Sequence, residues 1–542
     1  MIKNERTKKY LPLILLALMI ALLSAYMVYW ATEKIGFDGD EFLSLMEIRG
    51  SGLGRPYNEP DFFNVWHDAA YFESSIGVAA ENAFTFDLPR LHSRNVPFYF
   101  VILHIAYSFY PGVFSIWPAI VLNILIYTGT LILLYALSCM LTKDKYLALL
   151  PALIWGVSTA AIDLVVFIRH YMLFTFICVL ITYVIFRAVM DGHFKWKHMM
   201  ILLVASVLGM MTHQFFVVYA FILSILICLY LIIKKDIKSL IRYSGTMFLA
   251  VIGNELIGTS MRDLWQSRRG QEGIGNVIRI FGRNDSPADY TGITDVAASE
   301  YTGFVNILTQ YSAYMRRTVF ADTNLWVIIA LVVFIVVIVL ITGNKKMSDI
   351  IAFLRKKETV LLIILGATCI LHILAITLTN QGARFRYIAN VTPFIILFYV
   401  SILIIGFRNI FSNKLAVFLL ISVPCTILMV LNINAKMLNL SHAGRAEMLE
   451  PYHNASVVVV GYPVNMYRHL LYFEDEILIT TAEIIDMELI KGRAYDEGII
   501  LFFPGERGYT GDLTVDDILA VSGLSHKTRL MQQFRHNVYY LE

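Results

Sequence analysis

Apolar positions in this chain fall in long unbroken runs, not in the alternating or every-third-residue stripes of a soluble fold. Runs near 20 residues with almost no charge recur at 11–30, 116–141, 146–166, 170–189, 198–212, 214–233, 240–258, 323–343, 359–379, 387–407 and 414–434. About 20 apolar residues cross the hydrocarbon core as a helix, so the pattern predicts eleven membrane spans. The stretch VPFYFVILHIAYSFY at 96–110 is shorter, and Pro111-Gly112 follows it. A short apolar helix of that kind is interfacial or re-entrant, and we place it at the outer surface.

The polar segments then sort by charge. TKDK at 142–145, GHFKWKH at 192–198, KKDIK at 234–238, the stretch from Lys345 to Lys357 and RNIFSNK at 408–414 are all basic. The positive-inside rule puts them in the cytoplasm, together with the basic start MIKNERTKKY. The first apolar run is too long for a signal-peptide core and reads as an uncleaved span. Three large outer segments remain: 31–115, 259–322 and the tail from about 436. The segment 259–322 is polar and rich in Arg, Gly and Asp, so it is expected to be a polar surface loop, with closure over the site or binding of an anionic acceptor as the alternative.

The tail changes pattern. SVVVVG at 456–461 and GIILFF at 498–503 are continuous apolar runs with β-branched and aromatic residues, as in buried strands. TVDDILAVSG at 514–523 predicts a helix with Thr514 as N-cap, acids in the first turn and Gly523 past the end. The expected architecture is therefore an α-helical polytopic membrane domain, 1–435, with a small extracytoplasmic α/β domain, 436–542. No internal repeat supports an inverted-repeat transporter.

Composition agrees. The chain of 542 residues is 58% hydrophobic, against about half or less in soluble proteins. The net charge of +3 is too small to direct partner choice, and no nucleic-acid partner is expected. All five cysteines lie inside apolar runs and read as small core hydrophobes.

Candidate chemistry lies at the outer ends of the spans. FDGDEFLSL at 37–45 places Asp38, Asp40 and Glu41 just after the first span. One acid is accounted for as a helix N-cap, which the positive end of a helix favours. Cap and catalytic roles are evenly balanced for the set. Arg169, His170 and Tyr171 open another span, and His213 lies between two more. Arg384, Arg386 and Tyr387 precede a late span, and His92 and Arg94 precede the interfacial helix. Singly, each reads as an interface anchor. Jointly, carboxylates and several cations at one membrane surface suit a reaction on a phosphate-bearing lipid. Arginine forks would hold the phosphate and a carboxylate would take the proton of a nucleophile.

The order of these motifs resembles the GT-C superfamily of integral-membrane glycosyltransferases. It is similar in particular to the protein O-mannosyltransferase and aminoarabinose transferase branch, family 39. Asp40-Glu41 matches the Asp-Glu pair of that branch. His92 to Gly112 matches its stretch leading into a short helix, with one proline, Pro97, where many members have two. Arg169 and Tyr171, Thr212-His213, and Arg386-Tyr387 with Pro393 match three later motifs in order.

The resemblance implies transfer of a sugar from a polyprenyl-phosphate carrier to an acceptor hydroxyl on the outer face, with inversion. It implies Asp40 as general base, Glu41 as its support or as an acceptor-orienting group, and Asp38 as the alternative base. Arg386 and Arg169, then Arg384, Arg94 and His213, would hold the leaving phosphate. Tyr171, Tyr387, His92 and His170 would line the substrate. Asp38-Gly39-Asp40 also spells a metal-binding DxD, but arginines alone suffice for a monophosphate, so the balance falls against a metal cofactor. The acceptor, whether protein, lipid or cell-wall glycan, stays open. A bacterial plasma membrane is the expected location. The rival readings are a lipid-linked glycan flippase or transporter, a glycan polymerase or ligase, and a non-catalytic receptor.

Overall fold

The computed structural model describes residues 5–32, 64–67, 97–109, 115–257, 293–320, 355–378, 385–432, 449–460, 476–480, 484–491, 493–504, 513–533 and 536–542, together with Lys34, Glu41 and Ser44. The chain forms two compact units. The first joins Met1–Trp30, Leu91–Tyr99 and Asn123–Met437; the second joins Ala31–Arg90, Phe100–Leu122 and Leu438–Glu542.

In chain order the elements begin with α1 (Glu5–Thr32), β1 (Trp66–His67), α2 (Pro97–Ser108) and α3 (Trp117–Thr142). Then come α4 (Leu149–Gly156), α5 (Thr159–Val166), α6 (Tyr171–Asp191), α7 (Trp196–Met210), α8 (Phe215–Ile233) and α9 (Ile237–Ile257). After these come α10 (Ile293–Val319), α11 (Lys357–Leu378), two 3-10 turns (Phe385–Tyr387 and Ala389–Val391), α12 (Thr392–Ile410) and α13 (Lys414–Asn432). The tail holds β2 (Ser456–Val460), β3 (Ile477–Thr480), α14 (Glu488–Lys491), β4 (Ile499–Pro504), α15 (Val515–Ser522), β5 (Lys527–Gln533) and β6 (His536–Leu541).

Among the described residues six helices are long and apolar enough to cross a membrane: α1 from Tyr10, α3, α6, α8, α11 and Ala389–Arg408. The predicted span at 146–166 is broken. It is α4 and α5, bent by 63°. The bend has local causes. Ser158 caps α5 by accepting from the Ala161 N–H and donating to the Trp155 carbonyl, 2.6 Å. The Gly156 carbonyl is released from the helix and accepts from the Tyr127 hydroxyl, 2.8 Å. A Cβ at Gly156 would meet Leu23 Cδ1 at 2.6 Å and the Tyr127 hydroxyl at 2.8 Å, so any larger residue would have to displace them. Asn123 then donates to the carbonyls of Val165 and Phe167, 3.0 and 3.1 Å, satisfying the free end of α5. Within lipid such groups find partners in the protein or stay unpaired at high cost.

Other spans also differ from the reading of the sequence. α7 has the length of the run predicted at 198–212 but starts two residues earlier, and Lys414–Ile427 is shorter than the span predicted at 414–434; both are apolar helices of fewer than 18 residues. The run 323–343 lies outside the described residues. Most of the 259–322 segment also lies outside them, but its last part is the 27-residue helix α10 rather than a loop. Among its described side chains Ile307, Tyr311, Tyr314, Met315, Thr318 and Val319 are buried. They recur at three- and four-residue spacing on one face, which packs the helix against its neighbours.

The second unit is built on a six-stranded sheet of order β1-β3-β2-β4-β6-β5. β3, β2 and β4 run parallel, and β6 and β5 add antiparallel strands. β2 and β3 are buried throughout, as their continuous apolar sequence requires. Thr514 caps α15 with Asp517 in reciprocal hydrogen bonds, and Gly523 ends it at φ 74°. The edge strand β1 comes from the 31–115 segment, not from the tail: Trp66 pairs with Leu478 and His67 with Ile477.

Candidate functional site

Six of the residues singled out in the sequence meet in the first unit. Three local devices bring them there. α5 ends at Val166, and the chain turns through Arg169 and His170 before α6 begins at Tyr171. α7 ends at Met210, where the Gly209 carbonyl accepts from the N–H groups of Thr212 and His213, 3.0 and 3.1 Å. The Phe216 ring packs against Gly209 where a Cβ would stand, which seats the turn on α8. The two 3-10 turns before α12 display Arg386 and Tyr387.

His213 is the centre of the cluster. Its ring stacks on Phe174 at 4.7 Å and 12°. His170 lies 4.9 Å away, Tyr171 5.4 Å and Tyr387 6.2 Å, centroid to centroid. Tyr99, near the start of α2, meets His170 edge-on at 6.3 Å. The Arg386 guanidinium lies over two of these rings, 5.9 Å from Tyr171 and 5.7 Å from Tyr387. Such contacts hold a guanidinium in place without neutralising it.

Electrostatics fix the protonation of the histidines. His213 and His170 are buried, at 3% and 5% exposure. Burial pushes the His213 pKa down to about 3, helped by His372 and by the charges of Arg169 and Arg386. Burial drives His170 well below its ordinary value, helped by His213, Arg169 and Arg386. Both rings are therefore neutral near pH 7. The Phe215 backbone N–H donates to His213 Nδ1 at 2.9 Å, so Nδ1 is the bare nitrogen and Nε2 carries the proton. The cluster thus offers the neutral imidazole N–H groups of His213 and His170 and two guanidinium groups, Arg169 and Arg386, walled by aromatic rings. That combination can bind a phosphate monoester and stabilise charge as it develops on the phosphate oxygens.

Glu41 belongs to the second unit. It is 1% exposed, and its Oε1 and Oε2 lie 2.9 and 3.0 Å from Lys34 Nζ. Burial raises the Tyr107 phenol pKa, and the Glu41 charge adds to that shift. Asp38, Asp40, His92, Arg94 and Arg384 lie outside the described residues. Among the described residues no group of three or more His, Cys, Asp or Glu side chains is placed to share a metal ion.

Two polar residues near the cluster were not singled out in the sequence, His372 on α11 and Asn390 on the second 3-10 turn. Both are fully buried. The signal for each was a hydrogen-bonding side chain inside an apolar run.

No protein-family model matches the sequence, and no curated protein matches it. The structure is similar to that of ArnT from Cupriavidus metallidurans bound to undecaprenyl phosphate, with 10% identity, 97% of each chain covered and a TM-score of 0.44. The apo form of the same protein gives a TM-score of 0.42 at the same identity and coverage. The archaeal oligosaccharyltransferase AglB from Archaeoglobus fulgidus, in complex with an inhibitory peptide and a dolichol-phosphate, is 10% identical with a TM-score of 0.41. In that case 88% of this chain and 65% of AglB are covered.

Proposed function

We propose that this protein is a membrane glycosyltransferase of the GT-C type that moves a sugar from a polyprenyl-phosphate donor to an acceptor hydroxyl on the outer face of the membrane. The observation that carries the reading is the convergence of Arg169, His170, Tyr171, His213, Arg386 and Tyr387 on one aromatic-walled cluster. These residues come from three separate stretches of chain. Two half-buried guanidinium groups beside buried neutral histidines suit the binding of an anion.

The chemistry assigns each group a task. The acceptor oxygen attacks the anomeric carbon from the face opposite the phosphate, so configuration inverts. The carbon–oxygen bond to the phosphate breaks, and its electron pair stays on the phosphate. Arg386 and Arg169 take up that charge, with Arg384, Arg94 and the His213 Nε2–H as further donors. The acceptor proton passes to Asp40, with Asp38 as the alternative base. Glu41 is the support in this scheme. Its ion pair with Lys34 occupies both carboxylate oxygens and suits it to holding the loop rather than to taking a proton. Tyr171, Tyr387, His170 and His92 line the sugar and phosphate. Guanidinium groups meet the charge of a monophosphate donor, so no metal enters the scheme.

The test is a donor-cleavage assay on purified protein in nanodiscs. A panel of radiolabelled polyprenyl-phosphate sugars is supplied with membrane extract as acceptor, beside Asp40→Asn and Arg386→Ala variants. Transfer of label by the parent, lost in both variants at equal expression, is the expected result. Label retained on every donor would overturn the transferase reading. Full activity in Asp40→Asn would leave the transferase standing and remove Asp40 as its base.

A further inference from the structure

The turn that displays Arg386 rests on a polar pair with no role in the scheme above. His372 lies within the membrane-spanning helix α11 and is 0% exposed. Tyr219 of α8 meets its ring edge-on at 5.7 Å. The Asn390 side chain and the Tyr387 backbone are the polar groups that face the imidazole. Asn390 is itself 1% exposed. Its amide donates to the Cys178 sulfur, 3.7 Å, and ties the turn to α6.

Polar accounting makes this arrangement informative. The Asn390 side chain and the Tyr387 backbone are the hydrogen-bonding neighbours of the imidazole, both at long geometry. Two apolar residues would fill the same volume without burying polar groups. A membrane interior makes that cost higher, and an ionisable side chain there is a functional candidate by default. The two side chains face each other with complementary capacity. An imidazole offers one donor and one acceptor, and the amide oxygen one acceptor. An imidazole N–H directed at the amide oxygen serves both groups.

We propose that His372 and Asn390 are positioning residues for Arg386. The pair ties α11 to the two 3-10 turns and so sets the position of the guanidinium over Tyr171 and Tyr387. Non-helical backbone at membrane depth needs such internal ties. The Trp155 indole supplies a second, donating to the Thr392 hydroxyl at 3.2 Å, and that hydroxyl donates to the Ala389 carbonyl at 2.7 Å. The catalytic consequence of the tie rests on the phosphate-binding reading of the cluster; the tie itself does not.

The experiment uses the full chain in nanodiscs and four variants: His372→Leu, Asn390→Leu, the double variant and His372→Gln. Hydrogen exchange of the 385–392 amides reads the tie. Donor KM and kcat read its use. His372→Leu is expected to speed exchange of those amides while α8 stays protected. It is expected to raise donor KM roughly tenfold with a smaller change in kcat, as for a displaced substrate clamp. His372→Gln, which can still hydrogen-bond, restores most of both. The double variant is no worse than either single one, because no polar group is left alone. Unchanged exchange in His372→Leu, or loosening spread evenly over α8 and α11, would overturn the proposal. If the parent cleaves no donor, the function reading falls and the exchange data still decide the tie.

Discussion

The indole of Trp66 lies under the guanidinium of Arg493, 4.3 Å from ring centroid to the central carbon. The two residues come from distant parts of the chain, yet the contact belongs to a set. Asn64 donates from its backbone to the Ile479 carbonyl and accepts from the Thr480 hydroxyl, 2.9 and 2.8 Å. The Trp66 Nε1–H donates to the Leu489 carbonyl at 3.3 Å. These bonds make β1 a built edge of the tail sheet, so the segment that carries the candidate carboxylates and the tail fold as one unit. We predict that Trp66→Ala costs roughly 2 kcal/mol, less than the ~3–5 of a fully buried tryptophan. Arg493→Ala removes the stacked cation and its ion pair with Glu476, and should cost about 1 kcal/mol. Hydrogen exchange of the β3 amides checks both. Equal protection in Trp66→Ala and the parent would mean β1 adds nothing to the sheet.

The Lys34–Glu41 pair makes a second prediction. Both side chains are 1% exposed, so neither charge can turn to water when its partner is lost. Removing one member of a buried pair costs about 3–5 kcal/mol. Lys34→Met and Glu41→Gln are each expected to destabilise the unit by that order. The double variant Lys34→Met/Glu41→Gln should recover much of the loss. Thermal unfolding of the four proteins decides it. Additive losses would show that the pair is not coupled and that Glu41 serves some other contact.

What the sequence disclosed follows from how local each signal is. Thr514 and Gly523 marked α15 correctly because a cap and a left-handed stop are written within ten residues. The strands at 456–460 and 499–504 were legible for the same reason. β1 was not, since a two-residue strand has no pattern of its own and its partners lie more than 400 positions away; the Asn64–Ile484 bond spans 420. α10 was missed although Ile307, Tyr311, Tyr314 and Met315 kept helical spacing. The Arg, Gly and Asp content of the whole 259–322 segment points to a loop and masks the helical period of its last part. The bend at Gly156–Ser158 contains no proline and shows only through its capping serine. At the candidate site, Arg169, His170, Tyr171, His213, Arg386 and Tyr387 were legible as polar groups at span ends. His372 and Asn390 were hidden because an apolar run absorbs a single polar residue without losing its hydropathy.

Arg386 carries a third prediction. Its guanidinium lies over two tyrosine rings, and its planar fork can meet two phosphate oxygens at once. Arg386→Ala is expected to lower turnover by roughly 10²–10³, the usual loss for one preorganised donor to a developing anion. Arg386→Lys keeps the charge but loses the fork and the stacking, so it should recover only a small part. Initial rates of label release from the lipid donor measure both. A fully active Arg386→Lys would show that the site needs only a point charge at that position.

His213 gives a prediction in pH. Its folded pKa is held near 3 by burial and by nearby cations, below the ordinary value of 6.5. The unfolded chain therefore binds a proton at this residue, over the range between those values, that the folded chain refuses. Stability must rise with pH across that window and be fully present above about pH 6.5. As pH falls from 6.5 toward 3 the contribution is progressively lost. His170, also pushed down by burial, adds to the slope in the same direction. His213→Phe keeps the stacking on Phe174 and has no proton to bind. It is expected to flatten the dependence of unfolding temperature on pH between 6.5 and 4 relative to the parent. It should also lose the Nε2–H donor, so donor KM rises at pH 7 even where stability matches. A His213→Phe protein with the parent's full acid sensitivity would place the titration on other groups and remove His213 from the account of the site's charge.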